Sequence, residues 1–554
     1  MRRIRRCLGS WPLEGLGVHR NDGGKAWNTF CGLAMEQSSP SQSCIGETPD
    51  AAGHVAGRHM GWVAALVALG LIPRLVEYIH YRPLWSDEAI LAAHVLTGST
   101  RDLLGALPDA IAPPGYLVAL KYCVAAFGVN EYAVRLPSIV GAVAALFLLY
   151  AVAKRLASPL CVVISLALLA VSEHSIYYAG EVRPYATDAA VGLLLLWFAL
   201  GTQEGKSPFW PVGFALAGAA AVWLSYPAVF FLAGIGTVQA VLALHRREWM
   251  RLGVFLPMYA VWITSFLALY FVNIRSVEAC GAIMKIAHDQ YGPEGAAAFM
   301  PFPPRSFGDL RWFGTRYVMF CDHPAGLEFP GLAGFAFLVG CGALFGKKKE
   351  YLYLLLLPLA YALAASGLQK YPFHARTTLY YVPVFYLLIG QGTAYLIERI
   401  RGRSALVGAL LLGILLLHPV YRMTRDVAEP RRHHELDRVL DYVQEHWQEG
   451  DTLYLPYVPS LTYLFCRHRY HFREGDVLVQ PAPPEAQSGL QAFTADLLRL
   501  RGKPRVWIAT TYALRPRVEQ FWQHIDTFAE RGEGAEARGA MVYRYDFSAP
   551  TPQV

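Results

Sequence analysis

The sequence predicts a polytopic all-α membrane protein with about eleven transmembrane helices, followed by a C-terminal α/β domain. The first observation behind this fold class is composition: 54% of the residues are hydrophobic and 16% are charged, whereas a soluble domain has about 25% charged residues. The second is that the apolar residues form runs long enough to cross a bilayer core of about 30 Å. The third is that these runs stop near residue 420, where shorter alternating patterns replace them.

Residues 1–59 begin with Met1-Arg2-Arg3-Ile4-Arg5-Arg6 and continue as a polar stretch rich in Gly and Ser. They contain no apolar segment of the length that a signal peptide requires. We interpret them as a disordered cytoplasmic N-terminal extension, because such a composition buries too little apolar surface to fold. Two alternatives stay open, a cytoplasmic tail that helps to fix the orientation and a true start at Met35 or Met60.

The transmembrane domain is predicted to extend over residues 60–420. A hydropathy window of about 19 residues places the spans near 61–79, 134–153, 159–176, 185–201, 209–225, 228–244, 252–272, 330–346, 351–366, 379–397 and 404–420. The basic clusters between spans all fall on one side, together with the basic N-terminus: Lys154-Arg155, His245-Arg246-Arg247, Lys347-Lys348-Lys349 and the arginines of 399–403.

The positive-inside rule makes that side cytoplasmic, which puts the N-terminus in the cytoplasm. In a bacterium the protein then lies in the inner membrane and its long loops face the periplasm. These loops are 80–133, 177–184, 273–329 and 367–378, and the domain at 421–554 is on the same side.

The C-terminal segment 421–554 has the pattern of a small α/β domain. Strands are predicted at 452–455, 506–509 and 541–545, which are short segments rich in β-branched and aromatic residues. Helices are predicted at 432–447, 485–500 and 514–525.

Asp87 and Glu88 stand in Leu84-Trp85-Ser86-Asp87-Glu88-Ala89, just after the first apolar run. One interpretation is a helix N-cap, because Ser and Asp side chains accept the free N–H groups at a helix start. The other is catalytic. A carboxylate held at the membrane–water interface can act as a general base toward a hydroxyl nucleophile, and we expect this role for Asp87, with Glu88 beside it.

Two cations follow in the same loop. Pro113-Pro114-Gly115-Tyr116 opens a short helix that is predicted to lie in the interface, with Lys121 among its apolar residues. Arg135 stands at the outer mouth of the next span. A snorkelling side chain is the alternative for Arg135, since such arginines are common at span ends.

The turn after the third span contains Tyr178, Glu181 and Arg183. Charges beside spans are costly and tend to face a cavity, so we predict that this turn lines the same cavity as Asp87. Arg74, inside the outer part of the first span, is assigned to it as well. The alternative is a Glu181–Arg183 pair that neutralises itself.

A cation cluster precedes a later span, in Lys370-Tyr371-Pro372-Phe373-His374-Ala375-Arg376. The planar guanidinium of Arg donates two parallel hydrogen bonds and suits a phosphate. We predict that Arg376, with His374 and Lys370, binds a lipid phosphate at headgroup depth. A generic interfacial belt of cations is the alternative.

Four blocks together resemble a known family. Trp85–Ala89, Pro113–Tyr116, Glu131-Tyr132-Ala133-Val134-Arg135-Leu136-Pro137 and Tyr178–Tyr185 occur in the order and spacing of the bacterial GT-C glycosyltransferases. The chain is most similar to the protein O-mannosyltransferase and aminoarabinose transferase superfamily, which includes enzymes that modify lipopolysaccharide. The resemblance covers roughly residues 60–420.

The resemblance implies a polyprenyl-phosphate-linked sugar as donor, an envelope acceptor, and transfer on the periplasmic face with inversion at the anomeric carbon. Asp87 matches the catalytic acidic residue of the family. Arg376, with His374 and Lys370, matches the cations on the donor phosphate, to which Arg135 and Lys121 are added as candidates. No organic cofactor is expected, and the need for a divalent cation stays open because family members differ in it.

Other functions receive less support. His433-His434 and the run from Cys466 to His471 lack the paired spacing of zinc ligands and are interpreted as solvated surface. There is no Walker or Rossmann glycine motif, and the basic residues lie between spans, which gives no nucleic-acid surface. The rival function is a non-catalytic transporter or flippase of a lipid-linked sugar, which needs the same spans and the same phosphate-binding cation.

Overall fold

The computed structural model describes residues 49–107, 110–204, 209–279, 281, 297–399, 403–480, 490–511 and 515–548. Most of the predicted N-terminal extension, and the larger part of the loop segment 280–296, lie outside these residues. His59–Val554 forms one compact unit and Met1–Arg58 a second one.

The chain is mainly helical. The helices are α1 (Pro49–Ile79), α2 (Ser86–Thr97), α3 (Thr100–Leu104), α4 (Pro114–Phe127), α5 (Glu131–Leu156), α6 (Pro159–Ala170), α7 (Glu173–Tyr177), α8 (Tyr185–Gln203), α9 (Trp210–Leu224), α10 (Ala228–His245), α11 (Trp249–Leu269), α12 (Arg275–Ala279), α13 (Phe307–Asp322), α14 (Pro330–Gly367), α15 (Val382–Arg399) and α16 (Arg403–Ala428). Short 3₁₀ turns at Tyr178–Gly180 and Ala375–Tyr381 lead into α8 and α15.

Eight helical segments of the described chain are long and apolar enough to cross a membrane, or nine if the pair α6 and α7, bent by 61°, is one span. The prediction of a polytopic all-α membrane domain is thereby confirmed. All eleven predicted spans have a helical counterpart, but α9 has only 15 residues. The two predicted spans at 330–346 and 351–366 are continuous in α14, whose backbone breaks at Lys348 with φ −152° and ψ 82°. The number of crossings stays a prediction.

The loop between α1 and α5 carries α2, α3 and α4 across one end of the helix bundle. Trp85 is extended (φ −83°, ψ 170°) and precedes the first turn of α2. α4 begins at Pro114, as a proline in the first turn favours. Gly115 allows this helix to touch α9, because a Cβ there would lie 2.7 Å from the Trp223 carbonyl oxygen. The apolar side of the loop buries Leu84, Leu91, Tyr116 and Leu117 in a core of its own.

The predicted C-terminal α/β region is confirmed. It contains α17 (Leu436–Glu445), β1 (Thr452–Leu455), α18 (Tyr457–Cys466), β2 (Val477–Val479), α19 (Leu490–Arg499), β3 (Val506–Thr511), α20 (Arg515–Asp526), β4 (Glu530–Ala537) and β5 (Ala540–Asp546). Its five-stranded sheet has the order β2-β1-β3-β5-β4. β1 is parallel to β2 and β3, and β5 is antiparallel to β3 and β4.

The predicted strands at 452–455, 506–509 and 541–545 all lie in this sheet, whereas α18, β2 and β4 were not predicted. α18 packs on α2: the Thr462 hydroxyl donates to the Leu84 carbonyl at 3.0 Å, and Phe465 is buried in the core of the 80–133 loop. The C-terminal region therefore holds the segment that carries Asp87.

Candidate active site

Asp87 lies in the first turn of α2 and is held by two arginines. Arg376 Nη2 donates to Asp87 Oδ2 at 2.7 Å, and Arg183 Nη2 lies 3.4 Å from the same oxygen. No hydrogen bond or ion pair of the described residues reaches Oδ1, and the Asp87 side chain is 20% exposed. One carboxylate oxygen is therefore fixed and the other is available, which is not the arrangement of an N-cap.

Glu88, the next residue, is fully buried and has partners of its own. Arg135 donates to it in a bidentate manner, from Nε to Oε1 at 3.2 Å and from Nη2 to Oε2 at 2.9 Å. The backbone N–H of Val182 donates to Oε1 at 2.9 Å, and that of Trp85 to Oε2 at 3.4 Å. Glu88 thus connects α2, α5 and the 177–184 turn. Arg135 is committed to this contact, and its predicted role at a phosphate stays untested.

Glu181, in the 177–184 turn, is also fully buried. The Trp85 indole Nε1 donates to its Oε1 at 2.9 Å, while Oε2 receives no hydrogen bond within the described part of the chain. Arg183 pairs with Asp87 and not with Glu181, so the self-neutralising pair considered from the sequence does not form. The structure thus brings Arg183 to Asp87 and links Glu181 to the same segment through Trp85, while their shared role stays a prediction.

Aromatic rings surround the guanidinium of Arg376. Its Cζ lies 5.8 Å from the ring centroids of Trp85 and Tyr185. Tyr178 stacks edge-on against Tyr185, and its hydroxyl is 3.1 Å from His323 Nε2. Such rings favour a cation over their faces, so they hold Arg376 at the Asp87 carboxylate.

The electrostatics differ sharply between the carboxyl groups. Burial favours the neutral form of Asp87, but Arg183 and Arg376 outweigh it and hold its pKa below the usual range. Burial is likewise outweighed at Glu88 by Arg135 and Arg82, which lower its pKa. At Glu181 burial dominates over Arg376 and raises the pKa to about 7. Asp87 is therefore ionised at neutral pH.

The His433-His434 pair is not the solvated surface expected from the sequence. His434 is buried, and both rings contact the Trp85 indole, with centroids 5.5 and 6.3 Å away. Burial lowers the pKa of His434 to about 4, so this ring is neutral beside Asp87. The start of the C-terminal region therefore covers part of the site, a contact between distant segments that no spacing in the sequence indicates.

Three predicted site residues lie elsewhere. Arg74 donates to the carbonyl oxygens of Gly70 at 2.7 Å and Leu169 at 2.8 Å, and so satisfies the C-terminal end of α6. Lys121 donates to Val95 and Gly98 carbonyls at 3.1 and 2.6 Å, at the end of α2. Lys370 is 57% exposed and pairs with Glu278 at 3.1 Å. These lysines and Arg74 are thus engaged away from Asp87.

His374 stands at the start of the turn that carries Arg376, where its backbone N–H bonds Thr377 Oγ1 at 3.3 Å. Burial, with Arg316 and Arg376 nearby, lowers its pKa to about 4. The ring is therefore neutral at pH 7, and Arg376 is the cation that this segment brings to Asp87.

Arg82 is a site residue that the sequence analysis missed. It pairs with Glu77 at 3.0 Å and donates to the Gly180 carbonyl at 2.7 Å, which ties the end of α1 to the 177–184 turn. The signal was present, because Arg82 stands at the mouth of a span as Arg135 does. The described residues contain no group of three His, Cys, Asp or Glu side chains that could hold a metal ion.

Comparison with known proteins adds to this geometry. No protein-family model and no curated protein sequence matches the chain. The crystal structure of ArnT from Cupriavidus metallidurans bound to undecaprenyl phosphate is similar, with a TM-score of 0.54 and 13% identity, over 89% of this chain and 99% of that one. The apo structure of the same ArnT gives a TM-score of 0.51 and 13% identity over the same shares.

The chain has the GT-C fold. At this level of identity the likeness concerns architecture, and it covers both the helical part and the C-terminal region of the chain. The GT-C fold predicted from the four sequence blocks is confirmed. The roles of individual residues within it remain predictions.

Proposed function

We propose that the chain is an integral membrane glycosyltransferase that moves a monosaccharide from a polyprenyl-phosphate donor to an envelope acceptor, on the periplasmic face of the bacterial inner membrane. The observation that carries this proposal is the ionised Asp87, fixed through one oxygen by Arg376 and Arg183 and open at the other. The GT-C fold shared with ArnT, which was crystallised with undecaprenyl phosphate, supports the choice of donor.

In the proposed reaction Asp87 Oδ1 accepts a hydrogen bond from the acceptor hydroxyl and takes its proton as the oxygen attacks. A bond forms between that oxygen and the anomeric carbon, and the bond from this carbon to the phosphate oxygen breaks. The electron pair leaves with the polyprenyl phosphate, which gains a negative charge. Attack from the face opposite the phosphate inverts the anomeric carbon.

Arg376 stabilises the departing phosphate. Its guanidinium lies 2.7 Å from Asp87 Oδ2, so a phosphate that arrives beside it competes with Asp87 for the same donors. Every hydrogen bond that Arg376 transfers to the phosphate weakens its hold on Asp87 and makes that carboxylate more basic. Donor binding and activation of the base are coupled in this way, and the charge that develops on the leaving group meets a prepositioned cation.

Glu88 has a positioning role in this proposal. Its two oxygens receive four donors, from Arg135, Val182 and Trp85, which leaves no oxygen for a substrate. It fixes α2 against α5, and thereby the direction of the neighbouring Asp87 side chain.

The test measures release of polyprenyl phosphate by protein purified into lipid and supplied with polyprenyl-phosphate sugars and envelope extracts. We expect release by the wild type and a loss of about 10²- to 10⁴-fold in Asp87→Asn, the usual size of a general-base contribution. Near-normal transfer by Asp87→Asn contradicts the mechanism. Passage of lipid-linked sugar across vesicles, with no release from any donor, supports the flippase instead.

A further inference from the structure

The buried charges of the site are unevenly paired. Arg82 pairs with Glu77 and Arg135 with Glu88, whereas Arg183 and Arg376 share Asp87. Glu181 is the remaining carboxyl group, and within the described residues no cation lies within 4.0 Å of it. Among these eight side chains the four arginines and the four carboxyl groups are equal in number, so their net charge depends on whether Glu181 carries a proton.

The surroundings of Glu181 favour a proton. It receives one hydrogen bond, from the Trp85 indole, and its Oε2 is buried with no partner among the described residues. Glu88 close by is ionised and receives four donors, which Glu181 does not have. A carboxylate with so few donors in a buried site is costly, and a second negative charge beside the first adds to that cost.

We propose that Glu181 is a positioning residue that stays protonated while the donor phosphate is bound, so that the site keeps one net positive charge for that phosphate. This inference rests on the proposed function. Glu181 acts through Trp85, which joins its carboxyl group to the Arg376 guanidinium: the indole N–H bonds Glu181 and the indole ring lies beside Arg376.

The pKa of Glu181, raised by burial to about 7, puts its titration within the physiological range. The groups that face it are Arg376, Glu88, Arg82 and Arg183, with the phenols of Tyr177, Tyr178 and Tyr116. Above pH 7 the carboxyl ionises and cancels the excess positive charge. Phosphate binding then weakens as pH rises, because only the protonated form has the favourable charge.

The experiment measures binding of undecaprenyl methyl phosphate to the full chain in nanodiscs between pH 5.5 and 8.5. This diester carries one negative charge throughout, unlike a phosphate monoester, whose second pKa is about 6. For the wild type we expect an affinity about tenfold lower at pH 8 than at pH 6, as one proton with a pKa near 7 requires. Glu181→Gln keeps an acceptor for the indole but cannot ionise, and we expect its affinity to be independent of pH.

Asp188→Asn is the matched control. Asp188 is another buried carboxyl group, on α8, which follows the 177–184 turn. It lies close to Ser225 and does not pair with Arg82, Arg135, Arg183 or Arg376. We expect this variant to keep the wild-type pH dependence. Loss of the dependence in Asp188→Asn rather than in Glu181→Gln overturns the assignment, and so does an equal pH dependence in the wild type and Glu181→Gln.

Two further outcomes keep the test decisive. If Glu181→Gln does not fold, Trp85→Phe removes the indole donor that favours the ionised carboxyl, and the affinity loss moves to higher pH. An unmoved transition in Trp85→Phe then overturns the inference. Absence of binding to the wild type at every pH contradicts the proposed function itself, which separates the two failures.

Discussion

The ion pair between Glu88 and Arg135 offers a quantitative test of how the segment that carries Asp87 is held. Both side chains are buried, with 0% and 2% exposure, and their closest atoms are 2.9 Å apart. Arg135→Leu removes the cation and leaves the Glu88 carboxylate buried with only backbone donors. Loss of one partner of a buried pair costs about 3–5 kcal/mol, equal to a shift in the unfolding equilibrium of about a hundredfold to a few thousandfold.

The assay is unfolding of the purified protein in mixed micelles, monitored by tryptophan fluorescence. It compares the single variants Glu88→Gln and Arg135→Leu with the double variant Glu88→Gln/Arg135→Leu. We expect the double variant to recover a large part of the loss, because the buried charge is gone from both sides. Arg246–Glu350 is the matched control, since its atoms are 2.8 Å apart but Arg246 is 46% exposed. Arg246→Leu should cost at most about 1 kcal/mol.

The result that refutes this reasoning is an Arg135→Leu variant with a stability loss no larger than that of Arg246→Leu. Strict additivity of the two single variants contradicts it as well, because residues in direct contact have interaction energies of about 0.5–3 kcal/mol. Either result means that Glu88 is not held by Arg135 in the folded protein.

Three other predictions concern the cations, the pH response and the orientation. Arg376→Ala should weaken donor use by about 10- to 100-fold, the size of a lost charge-assisted hydrogen bond, with little effect on acceptor KM. Lys370→Ala removes an exposed side chain and should leave donor KM unchanged, so equal effects of the two variants contradict the assignment of Arg376. The lowered pKa of Asp87 means that its ion pairs stabilise the fold above about pH 4 and that this stabilisation is lost as pH falls below this value. The difference in unfolding free energy between wild type and Asp87→Asn should therefore be constant from pH 5 to 8 and shrink in acid. Arg499→Cys places a thiol at a position that is 77% exposed, and in a background without native cysteines it should react with an impermeant maleimide in intact spheroplasts; protection there contradicts the predicted orientation.

Sequence alone was sufficient for the features that depend on local pattern. Long apolar runs predict helices such as α5 and α15, and short segments rich in β-branched and aromatic residues predict the strands β1, β3 and β5. β4 was missed because it is an edge strand, with mostly exposed polar residues and no apolar alternation. β2 was missed because three residues are too few to show a period.

The candidate site was predictable where charge stands in an apolar context. Asp87, Arg183 and Arg376 come from three distant segments, and their cost beside a membrane already indicated that they meet. Arg74 satisfied the same criterion but serves the carbonyl oxygens at the end of α6. No one-dimensional pattern distinguishes these uses, because the choice depends on which helix end lies next to the arginine.

Lys121 illustrates the same limit at shorter range. It was assigned to a phosphate because it is a cation on an interfacial helix, yet it donates to the carbonyl oxygens at the end of α2. The partner of a long flexible side chain depends on which segment of the folded chain lies next to it. Arg82 was not predicted, because it stands outside the two sequence blocks that indicated a site in the 80–133 loop, Trp85–Ala89 and Pro113–Tyr116.

The contact of α18 with α2 has a consequence for protein engineering. The Thr462 hydroxyl and the Phe465 ring are built into the same small core as Leu84 and Leu91, so the two segments are complementary halves of one interface. A chimera that exchanges the C-terminal region between proteins of this fold carries one half of this interface without the other. Such swaps will keep the 80–133 loop folded only when residues 84–97 are transplanted together with the C-terminal region that covers them.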